Sequence, residues 1–265
     1  MTSKKTHDPS YPVHGKTSVI DRLKSRRNVL HFTLIDPDRQ APARLADVVR
    51  ACGAFGTDAF MVGGSGGFSR NRLQETLKAI RNETALPLIL FPNSSESVSR
   101  YADEIFFMSL LNSRGSRFLI GEQVRAAAAV KRAGLRPISM AYIVVGTSRK
   151  PTTVEKKVRL EAIRCRDIRK ARDYALAAEY LGMSCIYLEA GSGADKPVPP
   201  RMIRAVREEI SAPLIVGGGI RSPRHARQTA EAGADAIVTG TIVERDPARL
   251  ESIIRTIKAF RPGRR

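Results

Sequence analysis

Short β-branched apolar runs recur along the chain, each stopping at glycine, proline or an acidic residue. Most are followed by a longer stretch with apolar positions at helical spacing. Continuous apolar runs of this length predict strands of a parallel sheet buried on both faces, with helices crossing between them. The runs at 29–35, 58–62, 86–91, 104–110, 137–145, 185–189, 214–216 and 236–238 give eight strands. The helical patterns at 42–55, 71–83, 121–133, about 166–181, 199–210, 223–232 and 247–260 give the crossings, and 19–25 adds a short helix before the first strand. This alternation predicts an α/β fold, a TIM (β/α)8 barrel with a packed interior and its active site at the C-terminal strand ends. The segment between the third and fourth strands is short and serine-rich, so the third helix is expected to be missing or degenerate. The charged segment 146–166 reads as a long loop after the fifth strand.

The barrel is organised around residues 185–241. Three strand tips there end in glycine: Gly191 and Gly193, Gly217 to Gly219, and Gly240. Glycine lets backbone approach a ligand closely and turn N–H groups toward an anion. Ser222 then caps a helix with Pro223 at its first position, and a helix start is electropositive. Glycine-ended strands of this kind form the phosphate site of many barrels. A glycine run after a strand also serves as a plain turn. Three such tips in register favour the ligand.

Three polar side chains are expected at the same mouth. Asp36 ends the first strand, where a rim carboxylate suits Mg²⁺, which takes one or two carboxylates and completes its shell with water and phosphate oxygens. Ser65 lies in the glycine-rich loop after the second strand and offers a hydroxyl. Glu189 ends the sixth strand beside the glycine tips, where a buried carboxylate is costly without a role; it is placed to accept a hydroxyl proton or orient a polyol. Asp36 and Ser65 also suit turns, and Tyr187 also suits a core position.

Composition narrows the function classes. The 265 residues suit one barrel, with residues 1–18 as a disordered basic tail and 19–265 as a single barrel domain. The three cysteines lack metal or disulfide spacing and read as reduced thiols of a cytoplasmic protein. The four histidines form no ligand cluster, and no Ser/His/Asp triad is apparent. A net charge of +19 invites an anionic partner, yet no zinc-finger spacing, aromatic RNA-binding signature or tryptophan accompanies it. No specific nucleic acid is expected. The excess concentrates at 149–172, with ten basic residues against three acidic, and at 255–265, with five basic and none acidic.

The sequence also resembles the geranylgeranylglyceryl phosphate synthase family, from about residue 20 to 260. The resemblance rests on His31 to Asp38, Gly63-Gly64-Ser65, Met108 to Ser113, Leu119 to Gln123, Tyr187 to Ala194, Lys196 to Pro199, Val216 to Ser222 and Val238 to Glu244, in the family's order and spacing. It implies prenyl transfer: the 3-hydroxyl of sn-glycerol 1-phosphate attacks C1 of geranylgeranyl diphosphate, diphosphate leaves, and the first ether-lipid intermediate forms. Asp36 and Ser65 would hold Mg²⁺ on the diphosphate. Tyr187, Leu188, Glu189, Ala190, Gly191, Ser192, Gly193, Gly218, Gly219, Gly240 and Thr241 would hold the glycerol phosphate, with Glu189 assisting deprotonation. An apolar groove for the prenyl tail is expected where the third helix is missing. Leu34 favours the geranylgeranyl type, since heptaprenyl-type relatives tend to carry lysine near that position. Residues 147–172 depart from the family in being richer in arginine and poorer in glycine and proline. A homo-oligomer, dimer or larger, is implied, and a lipid-tailed product makes peripheral contact with a membrane an expectation. Two rival readings stand beside this one: another phosphate-binding barrel enzyme, or a non-catalytic basic barrel that binds anionic lipid or nucleic acid.

Overall fold

In the computed structural model the described residues are 17–25, 28–39, 42–64 and 66–261. Ser65 and most of the expected tail lie outside them. Ser18, the tail's last residue, is 3% exposed and belongs to the folded body.

The eight strands are β1 (Leu30–Ile35), β2 (Ala59–Gly63), β3 (Leu88–Phe91), β4 (Glu104–Leu110), β5 (Arg136–Val144), β6 (Cys185–Glu189), β7 (Leu214–Gly217) and β8 (Ala236–Thr239). They pair in parallel in sequence order, and β1 closes on β8 through Leu30↔Ala236 and Phe32↔Val238. The helices are α1 (Val19–Ser25), α2 (Pro42–Phe55), α3 (Arg70–Glu83), α4 (Glu122–Ala133), α5 (Thr153–Lys157), α6 (Ile168–Tyr180), α7 (Pro200–Glu209), α8 (Pro223–Glu231), α9 (Thr241–Arg245) and α10 (Pro247–Ala259).

Side chains alternate along each strand, so every second residue enters the barrel. Leu30, Phe32, Met61, Ile89, Phe106, Met140, Tyr187 and Ile215 form the interior cluster, while Ile35, Val62, Ile143, Leu188 and Val216 pack outward against the helices. Helix α1 plugs the N-terminal end by adding Val19 and Leu23 to the interior cluster. Two buried carboxylates hold it there. Glu104 accepts from Ser18 Oγ at 2.6 Å and from the Val19 N–H at 3.2 Å. Asp58 accepts from Arg22 at 2.8 Å and from Lys258 Nζ at 2.7 Å.

Residues 92–103, between β3 and β4, contain no helix, as the short serine-rich spacing predicts. Residues 117–121, just before α4, differ from expectation. They form a π-helical turn, in which the Glu122 N–H donates to the Arg117 carbonyl five residues back. Helices α5 and α9, five residues each, were not anticipated, because so few positions show no period. No described helix is long and apolar enough to cross a membrane.

Candidate active site

Glu189 is the last residue of β6 and its alternation points it into the barrel mouth. It is 5% exposed. Its Oε1 accepts the Gly191 N–H at 2.5 Å. Burial pushes its pKa up, while the nearby Tyr187 hydroxyl and the Gly191 amide pull it back. A carboxylate so placed accepts a proton more readily than one in water. Tyr142 and Tyr187 pack edge to face beside it, with ring centroids 5.4 Å apart, and Phe91 completes the aromatic wall at 5.6 and 5.9 Å. Burial and the Glu189 charge push both phenols well up, so they are neutral donors. The Tyr187 hydroxyl is buried without a well-aligned partner and lines the cavity. That hydroxyl can therefore turn either to the Glu189 carboxylate beside it or to a ligand oxygen.

The glycine tips surround this carboxylate. Gly218 has φ +80°, and a Cβ there would stand 2.3 Å from Glu189 Oε1, so both backbone conformation and space demand glycine. Gly191, Gly193, Gly218, Gly219, Gly240, Ser192 and Thr241 all line one cavity of about 90 Å³ with Glu189 and Tyr187. Asp36 lines it as well. Asp36 is partly exposed and lies 3.6 Å from Arg39. Desolvation pushes its pKa up, and the Asp38 N–H, Arg39 and Lys157 offset part of that shift. The backbone of the second loop presses on this acid: a Cβ on Gly64 would meet Asp36 Oδ2 at 2.5 Å, and one on Gly66 would meet Asp38 Oδ2 at 2.8 Å. Two carboxylates thus converge on one glycine loop.

Not every expected residue presents its side chain to this cavity. Leu188 and Ala190 are fully buried in the outer core, because strand alternation turns them toward the helices; only their backbone can serve a ligand. Conversely, Arg39 and Arg221 line the cavity and were not anticipated. Arg221 donates to the Gly193 and Ala194 carbonyls at 3.1 and 2.7 Å, bracing the β6–α7 loop. The signal for both was simply an arginine within three residues of a predicted strand-tip motif.

A second, apolar cavity adjoins the first and shares Gly64, Phe91 and Val154 with it. It has a volume of about 490 Å³ and runs between the β3–β4 tips and α4, where no helix joins β3 to β4. Val98, Ile105, Phe106, Phe107, Phe118 and Ala126 supply most of its apolar lining. The mouth therefore joins a small polar chamber to a long greasy groove.

The β5–α6 loop closes over one side. The Asn112 side chain donates to the Val144 and Glu161 carbonyls at 3.0 and 2.9 Å and accepts the Val144 N–H at 3.1 Å. Thr152, which caps α5 in a reciprocal capping box with Glu155, rests so close to Gly191 that a Cβ there would meet Thr152 Cγ2 at 2.5 Å. Thr147 and Ser148 tie the loop to Lys196 and Asp195 at 2.7 and 2.8 Å.

The profile of the PcrB family matches residues 21–261. The chain belongs to the PcrB family. It is 48% identical over 231 residues to a geranylgeranylglyceryl phosphate synthase of Thermococcus gammatolerans, covering 87% of this chain and 90% of that one. It is 45% identical over 249 residues to a geranylgeranylglyceryl phosphate synthase of Pyrococcus horikoshii, covering 94% and 96%. The crystal structure of (S)-3-O-geranylgeranylglyceryl phosphate synthase from Thermoplasma acidophilum, in complex with its substrate sn-glycerol-1-phosphate, superposes with a TM-score of 0.87 at 41% identity, covering 92% of this chain and 99% of that chain. This PcrB family member thus shares its barrel with relatives named for one activity, at identities far above those at which fold alone is shared.

Proposed function

We propose that this protein is a prenyltransferase that joins the 3-hydroxyl of sn-glycerol 1-phosphate to geranylgeranyl diphosphate, releasing diphosphate. The observation that carries the reading is the union, at one mouth, of a glycine-walled polar chamber holding Glu189 with an apolar groove. The acceptor is small and charged, and the donor is long and greasy. The glycine tips, with their backbone N–H groups, receive the acceptor phosphate, and the Tyr187 hydroxyl and Glu189 receive the glycerol oxygens. The prenyl chain lies in the groove between β3, β4 and α4, which sets C1 near the shared residue Phe91.

In the reaction the glycerol 3-hydroxyl oxygen forms a bond to C1 as the bond from C1 to the diphosphate oxygen breaks. The hydroxyl proton passes to Glu189, whose raised pKa suits that role. Holding both reactants in line is the larger share of the task, because it replaces a bimolecular encounter by a preset geometry. The neutral aromatic wall of Phe91, Tyr142 and Tyr187 excludes water that would otherwise capture the allylic carbon.

A Mg²⁺ ion fits the Asp36 end of the mouth. Two acids, Asp36 and Asp38, meet a glycine loop there, one of them desolvated and only partly neutralised by Arg39. Asp36 would hold the ion, and Ser65, the other expected ligand, lies outside the described residues. Bound there, the ion supplies charge neutralisation of the leaving diphosphate. Assembly as a dimer or larger oligomer and action in the cytoplasm belong to the same proposal.

The test is product formation by purified protein supplied with sn-glycerol 1-phosphate and prenyl diphosphates of different chain length, with and without a chelator. An ether product that needs divalent metal and falls by about 10²-fold or more in Asp36→Ala supports the reading. No product with any donor overturns it.

A further inference from the structure

At the N-terminal end of the barrel several cations are neutralised, Arg22 and Lys258 by Asp58, Arg136 by Glu104, Arg81 by Asp103 and Arg207 by Asp235. At the mouth end Arg39 is paired with Asp36, and Arg117 and Arg125 with Glu122, but further cations stand beside them. Arg114 and Arg159 on the rim above α4, and Arg149, Arg164, Lys196 and Arg201 around the outer side of the β5–α6 loop, form no salt bridge among the described residues. All six side chains belong to exposed or partly exposed residues.

The same rim carries an unpartnered apolar surface. Ile120 and Val124 are 55% and 69% exposed, and Leu119 is 38% exposed. They occupy one side of the π-helical turn and the first turn of α4. The other side of the same segment, through Phe118 and Gln123, walls the apolar groove. Among the described residues the other exposed large apolar side chains, Tyr180 and Leu181, lie at the C-terminal end of α6, at the opposite end of the barrel and away from the groove. Arg117 and Arg125, on the same segment as the ridge, share Glu122, which leaves the pair with a net positive charge. An apolar ridge on an end of the barrel that carries a surplus of cations is the composition of a surface that sits on anionic lipid, with the ridge entering the headgroup layer and the cations held at the phosphates.

We propose that the mouth face docks on an anionic bilayer, with Leu119, Ile120 and Val124 as the inserted ridge and the arginines of the β4–α4 and β5–α6 loops as the electrostatic anchor. This rests on the prenyl-transfer reading for its purpose, because it opens the groove toward the phase in which a C20 chain dissolves. Docking of the other end of the barrel would leave the groove facing water.

The test measures docking without substrate, so that it stands or falls apart from catalysis. Full-length protein is floated with vesicles of phosphatidylcholine alone and of phosphatidylcholine with phosphatidylglycerol, at low and high salt. The variants are Ile120→Asp/Val124→Asp and Arg149→Ser/Arg164→Ser, none of them lining the chamber or groove. The expected result is partition onto the anionic vesicles only, weakened by salt, and reduced roughly tenfold or more by either pair. Both variants should keep the wild-type melting temperature, solution mass and turnover on a short, water-soluble prenyl diphosphate. Equal binding to neutral vesicles, or binding that both variants retain, overturns the proposal. So does a change in solution mass in Ile120→Asp/Val124→Asp, which would assign the ridge to a contact between copies of this chain. If vesicles bind as expected while no donor reacts, docking stands and the prenyl-transfer reading fails.

Discussion

In the proposed reaction Glu189 would take the hydroxyl proton, because burial has made it unlike a surface carboxylate. Its pKa is pushed up, so in the folded protein the charged form is disfavoured at neutral pH relative to the unfolded chain. Glu189→Gln keeps the oxygen that accepts the Gly191 amide and removes that charge. The expected outcome is a loss of about 10²–10⁴-fold in turnover together with a melting temperature equal to or above wild type. Steady-state assay and calorimetry on the same preparation check it, and a falling melting temperature would show the charge to be structural. Gly218→Ala acts by another route. It meets both a positive φ and a 2.3 Å approach to Glu189 Oε1, so it should disable the acceptor site and cost about 1–3 kcal/mol in denaturant unfolding. His31 offers a pH signature with no catalytic part. It is fully buried between Thr57 and Thr239, at 3.0 and 2.9 Å, and desolvation lowers its pKa to about 3. The unfolded chain takes up that proton below about pH 6.5 and the folded chain does not until about 3. Stability contributed by this group is therefore lost as pH falls through that window, by about 1.4 kcal/mol per pH unit. Urea midpoints from pH 7 to 4 should decline less steeply in His31→Gln than in wild type.

At the scale of elements, the strand tips were legible and the parts that meet across them were not. Glycine after a β-branched run announces its own backbone geometry, which is why the chamber around Gly191, Gly218 and Gly240 could be read from residues alone. The missing third helix was equally plain, since 92–103 is too short for a crossing helix. At Leu188 and Ala190 a contiguous motif is not a contiguous surface of side chains, because a strand sends only alternate side chains to the mouth, and these two can offer a ligand only their backbone. Thr152 against Gly191, and Asn112 against Glu161, carry no local signal: each pair is brought together by the loop closing from a distant strand. Asn112 is the pin of that closure. Asn112→Ala leaves the Val144 N–H and the Val144 and Glu161 carbonyls without these partners, at a cost of about 1–3 kcal/mol. Hydrogen exchange should quicken over 146–166 with little change in β1 and β2, and KM for the acceptor should rise more than kcat falls.

At the scale of the whole molecule, the net charge of +19 is not spread evenly over solvated surface. Acids meet cations in pairs where α1 plugs the barrel. At the mouth end Arg39, Arg117 and Arg125 are paired as well, while Arg114, Arg149, Arg159 and Arg164 form no salt bridge among the described residues. Composition alone could not reveal this placement, because the sum is the same wherever the charges stand.

In the proposed reaction one mouth brings a glycerol phosphate hydroxyl to a prenyl carbon under Glu189. The most direct measurement is single-turnover transfer from geranylgeranyl diphosphate, in the presence of Mg²⁺, to sn-glycerol 1-phosphate and, separately, to its 3-phosphate enantiomer, by wild type and Glu189→Gln. The expected result is an ether product from the 1-phosphate, little or none from the 3-phosphate, and a rate with Glu189→Gln lower by about 10²-fold or more. Equal transfer to both enantiomers, or undiminished transfer without the Glu189 carboxylate, would contradict it.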